Sequence, residues 1–153
     1  MKILVALVLV TLSINSFAGI KDKKAMRASE GAVTAAIAGV MNACGNAALE
    51  AKIDWSAWDS YDYDKLGGDK VKILGYIASL ATSVTDEMAT LCKDADYKAE
   101  IAKLTTLNFS GNKDQSYHYV DIAVEKEKTL NVKLNADGVS SWKTADILKA
   151  AWD

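Results

Sequence analysis

The sequence holds no proline, one histidine, two cysteines and two phenylalanines among its 153 residues. A single histidine, His118, cannot supply the multi-histidine ligand set usual in catalytic zinc sites, and no HExxH pair occurs. The chain also lacks a P-loop, a GxGxxG fingerprint and a GxSxG elbow, which removes the commonest nucleotide and serine-hydrolase routes. Charge of neither sign dominates: 18 Lys and Arg stand against 20 Asp and Glu, for a net charge of -2. No basic field therefore points to nucleic acid. What is present is half hydrophobic and a quarter charged, which excludes an intrinsically disordered chain. The length fits one domain able to bury a real core.

The first eighteen residues form a separate unit. Lys2 gives a positive start, Ile3 to Leu12 are apolar apart from Thr11, and Ser16-Phe17-Ala18 sets small residues at the -3 and -1 positions of a cleavage site. That is the layout of a secretory signal peptide, and its apolar stretch is too short for a membrane span of about 20 residues. Its brevity points to bacterial export. The expected organisation is a signal peptide at 1–18 and a single domain at 19–153. The expected location is periplasmic or secreted, with no membrane span after cleavage. In such a compartment the only two cysteines, Cys44 and Cys92, are expected to pair. Closing a loop of that length stabilises by about 4 kcal/mol in the chain-entropy account.

Helical periodicity comes first along the domain. From Lys21 to about Lys52 the chain is alanine-rich, and Val33, Ile37, Val40 and Cys44 fall on one face. Gly31, Gly39 and Gly45 in this stretch predict close packing against a neighbour or a stop. A second helix is marked by Ile73, Ile77, Leu80, Val84, Met88 and Leu91, after a Gly67-Gly68-Asp69 turn and cap. Cys44 lies on the first stripe and Cys92 beside the second, so a bridge would lock the pair. A short third helix is expected over Asp96 to Leu104.

After Thr105 the period falls to two. Leu107 and Phe109, then His118 to Val124, then Leu130 to Leu134, read as three strands of an antiparallel meander with one apolar face. A last helix from Ser140 to Trp152 carries Trp142, Ala145, Leu148 and Trp152. It is expected to cover the second face of the sheet. The fold class is α+β: N-terminal helices as a disulfide-linked pair, a three-stranded meander and a C-terminal helix.

The densest unusual segment is Asp54 to Asp69, DWSAWDSYDYDKLGGD. Its candidate binding residues are Trp55, Trp58, Asp59, Tyr61, Asp62, Tyr63 and Asp64. Aromatic faces offer flat apolar area and carboxylates accept hydrogen bonds, a pairing suited to sugar or peptide. Clustered carboxylates also suit calcium, but the EF-hand pattern fails because Ile73 stands where a bidentate Glu is needed. The competing reading is structural, with the tryptophans tucked under a loop between two tied helices. A further candidate surface is the strand face of Tyr117, Tyr119 and Asp121. The expectation is an exported, small, non-enzymatic binding or accessory protein, inhibitor-like, immunity-like or envelope-associated, with no cofactor and no metal. Its partner would be a protein or glycan of the cell envelope or exterior. The alternative is a carbohydrate-binding or carbohydrate-active protein using segment 54–69, with or without calcium.

Overall fold

The computed structural model describes residues 19–66, 69–112, 120–135 and 144–153. The expected signal peptide at 1–18, the expected Gly67-Gly68 turn, and Tyr117, His118, Tyr119 and Trp142 lie outside these described residues.

Helix α1 spans Ile20–Cys44 and buries Val33, Ile37, Val40 and Cys44, the stripe its spacing predicts, together with Ser29. It stops at Gly45, whose φ of 70° is left-handed and whose N–H bonds the Met41 carbonyl. Gly45 is thus the stop the sequence offers, whereas the end of the alanine-rich run read with the helix, Glu50–Asp54, forms strand β1. Alanine there is compatible with helix, but Ala51 and Ile53 alternate with exposed Glu50, Lys52 and Asp54 and take a sheet partner. Gly31 and Gly39 are also reinterpreted. A Cβ at either would meet nothing within 4 Å, so neither marks a close approach.

Beyond β1 come two single turns, α2 at Ser56–Asp59 and α3 at Tyr63–Leu66, then the long helix α4 at Lys70–Leu91. Asp69 caps α4 by accepting the Val71 N–H at 2.9 Å. All six residues of the predicted stripe, from Ile73 to Leu91, are buried. Three cross-links set the direction of the helix pair. Lys70 meets Asp22 at 3.5 Å, the Ser29 hydroxyl donates to the Leu74 carbonyl at 2.7 Å, and Cys44 is bonded to Cys92. The two helices therefore run parallel, start beside start and end beside end. Their bridged ends are fully inside the core, Cys44 at 2% and Cys92 at 6% exposure.

Helix α5 follows at Ala95–Ile101. Buried Asn46 holds its end, donating to the carbonyls of Ile101 at 3.0 Å and Leu104 at 2.7 Å. Strands β2 at Thr106–Asn112, β3 at Val120–Glu125 and β4 at Thr129–Asn135 complete a four-stranded sheet ordered β1-β2-β4-β3. β1, β2 and β4 are mutually parallel neighbours, and only β3 runs against β4. The expected three-stranded antiparallel meander is thus corrected to a mixed sheet with β4 inserted between β2 and β3. Alternation of side chains is the same in parallel and antiparallel strands, so it specifies the face and not the neighbour. The charged run Glu125 to Lys128 makes the β3–β4 hairpin, with Lys126 and Glu127 both at positive φ and the Lys128 N–H bonded to the Glu125 carbonyl.

One sheet face carries Ile53, Leu107, Phe109, Leu130, Val132 and Ile122 in register, and joins the helices in one core. The other face is polar, with rows such as Lys52, Asn108 and Asn131. Its groups bond to each other: Asn108 donates to Asn131 and Asn131 to Glu125, each at 3.1 Å. The final helix α6, Thr144–Ala150, packs on α4 and the β3 edge with Leu148 buried, rather than covering that second face. A helix that short has one apolar stripe, which the existing core already uses. Among the described residues no helix is long and apolar enough to cross a membrane.

Candidate functional site

The aromatic and acidic segment after β1 is organised from its first residue. The Asp54 carboxylate accepts the Ser56 N–H at 3.0 Å and turns the chain into α2. Bonds from the Ser56 backbone and hydroxyl hold the Asp54 carboxyl below the usual carboxylate range. α2 then drives Trp58 inward until it has no exposed surface. Its ring lies on the backbone of β2 at Gly111, where a Cβ would sit 2.9 Å from Trp58 Cε2 and 3.0 Å from Ala57 Cβ. Only glycine leaves that space open.

The neighbours are fastened in the same way. Trp55 packs edge-on to Trp58 at 5.5 Å, and its indole N–H donates to Glu30 of α1 at 2.8 Å. Tyr61 and Tyr63 pair edge-to-face at 5.5 Å, and the Tyr63 hydroxyl donates to the Trp58 carbonyl at 2.6 Å. Burial, with help from the Asp59 and Asp22 carboxylates, pushes the Tyr63 phenol well up from its ordinary pKa. Lys70 ties the assembly at the start of α4. Its ammonium lies 3.4 Å from Asp59, 3.5 Å from Asp22 and 5.8 Å above the Tyr63 ring centre.

Of the seven candidate residues, the structure therefore draws Trp55, Trp58, Tyr63 and Asp59 into contacts that join α1, α4 and β2. Asp62 and Asp64 stand exposed, with Tyr61 half-buried. Among the described residues no three His, Cys, Asp or Glu side chains gather as a metal would require. Trp58 has no face to offer a sugar. Asp121, from the other candidate surface, is exposed on the polar sheet face opposite Lys133.

A second aromatic and acidic surface lies at the far end of the helix pair. A cleft of about 430 Å³ opens between α5 and the turn after α6, lined by Asp94, Asp96, Tyr97, Glu100, Trp152 and Asp153. Tyr97 and Trp152 meet edge-to-face at 6.4 Å. Asp94 caps α5, accepting the N–H groups of Asp96 at 2.9 Å and Tyr97 at 3.5 Å. Partial desolvation, then the carboxylates of Asp153 and Asp94, raise the Tyr97 phenol above its ordinary pKa. Glu100 bonds Lys103 at 2.7 Å, and no lysine or arginine lines the cleft among the described residues. Sequence reasoning placed Tyr97 and Trp152 only on helix faces. No local signal pairs residues 55 positions apart, since packing alone brings them together.

Fold and surfaces together define a disulfide-tied α+β domain with a four-stranded mixed sheet. No family model matches this chain, and no curated protein and no solved structure matches it.

Proposed function

We propose that this chain is an exported, non-enzymatic binding or accessory protein of an oxidising compartment, periplasm or exterior, in the manner of an inhibitor, immunity or envelope-associated protein. The observation that carries the reading is the Cys44–Cys92 disulfide, which joins the buried ends of α1 and α4. Such bridges persist where glutathione and thioredoxin do not reduce them. The leader-like first eighteen residues supply the means of reaching that compartment. The bridge fixes one end of a parallel helix pair, and Asp22, Lys70 and Glu30 fasten the other. A frame clamped at both ends holds its exposed side chains in set positions, which favours recognition of another molecule.

The test is a mass measurement on protein recovered from fractionated cells. The expected species begins at Gly19, sits in the envelope or exterior fraction and carries no alkylatable thiol. Material that begins at Met1 in the cytosolic fraction, with two labelled cysteines, would overturn the proposal.

A further inference from the structure

We infer that the cleft between α5 and the turn after α6 docks a basic segment of a protein partner, taking an arginine or lysine side chain against Tyr97 and Trp152. Its size is in the range of binding pockets, roughly 300–1,000 Å³. The two rings, at 6.4 Å and inclined by 69°, are both half-buried beside the cleft. An aromatic face attracts a cation through its negative quadrupole, and a guanidinium also stacks on it. Four carboxylates line the cleft beside those rings, and among the described residues the one cation paired with any of them is Lys103, on Glu100. Two of the four are already occupied, Asp94 by the α5 cap and Glu100 by Lys103. Asp96 and Asp153 make no ion pair among the described residues, and are placed to receive the charged head of an incoming side chain.

The charge pattern selects the occupant. An anionic ligand would meet the carboxylates of Asp94, Asp96 and Asp153, none of which is neutralised by a lysine or arginine among the described residues. A bare metal ion would need three or more gathered ligands, which are absent among the described residues. The cleft is open to solvent along one side, so a long basic side chain can enter while its backbone stays outside. The aromatic walls then cover the apolar stem that lysine and arginine carry behind the charge.

This docking site gives the proposed binding role its partner chemistry. The experiment is a calorimetric titration of purified, oxidised protein with an arginine-glycine repeat peptide, beside a glutamate-glycine control. The arginine peptide is expected to bind and the control not. Asp96→Asn and Trp152→Ala should each weaken binding at least tenfold, and raising the salt from 50 to 500 mM should weaken it as well. Tyr76→Phe, exposed on α4 and absent from the cleft lining, should leave it unchanged. Asp96 is exposed, so Asp96→Asn keeps the test meaningful if Trp152→Ala unfolds. Binding that survives Asp96→Asn in a folded variant, or no binding at low salt, would overturn the inference. Concentration-dependent self-association abolished by Asp96→Asn would also overturn it, by making a second copy the occupant. Because the titration uses purified protein, its failure would leave the fractionation and thiol results standing.

Discussion

The molecule carries two surfaces built from tyrosine, tryptophan and aspartate, and they have opposite fates. In segment 54–66 the aromatic rings are drawn inward: Trp58 is wholly buried on Gly111, Trp55 is bonded to Glu30, and Tyr63 to the Trp58 carbonyl. At the α5 cleft, Tyr97 and Trp152 meet edge-to-face and stay half-buried, with Asp96 and Asp153 beside them. The difference lies in what stands behind each ring. Segment 54–66 lies between α1, α4 and β2, so its rings fill a space that three elements share. The cleft has α5 on one side and a single turn on the other, and its rings are only half-buried. Composition of the same kind serves as fastening in one place and as a receptive surface in the other.

Truncation separates the two most sharply. Trp58→Ala should cost about 3–5 kcal/mol of unfolding free energy in denaturant titration, as for other large core aromatics. Trp152→Ala should cost clearly less, and equal losses would erase the distinction. A smaller effect is expected from adding bulk beneath the buried ring. In Gly111→Ala the new methyl meets Trp58 Cε2 and Ala57 Cβ, with an expected loss of about 1–3 kcal/mol. A neutral Gly111→Ala would mean that Trp58 does not seat on β2.

The smallest effect is electrostatic and concerns how the buried segment begins. Asp54 has a folded-state pKa below its unfolded one, so its contribution is present above the unfolded value and is lost as pH falls through the folded one. The carboxyl is almost entirely in solvent, which limits the contribution to at most about 0.5 kcal/mol. Asp54→Asn should lower the melting temperature slightly at neutral pH, and the gap should close below about pH 4. A gap that persists at pH 2 would assign the effect to geometry rather than charge.

Much of the fold is legible in the order of residues. The stripes of α1 and α4, the pairing of Cys44 with Cys92, the alternation of β2 to β4 and the hairpin over Glu125 to Lys128 all follow from local period and composition. Strand β1 is not legible, because Glu50 to Asp54 continues an alanine-rich run and declares itself only through its register with Thr106 to Ser110. The candidate site is half legible. The unusual segment stands out in the sequence, and its candidate roles included both ligand binding and tucking under the helices. The Tyr97–Trp152 meeting leaves no mark, since each ring alone reads as one more core residue of a short helix.

The sequence by itself determined which faces are apolar, where the helices run and which two sulfur atoms can meet. Those properties repeat every two or every 3.6 residues, or depend on there being a single possible pair. Tertiary structure alone decided that β4 separates β2 from β3, that Trp58 is sealed and that Trp152 is not. Strand order and exposure arise from the packing of elements tens of residues apart, and no local pattern encodes which neighbour arrives.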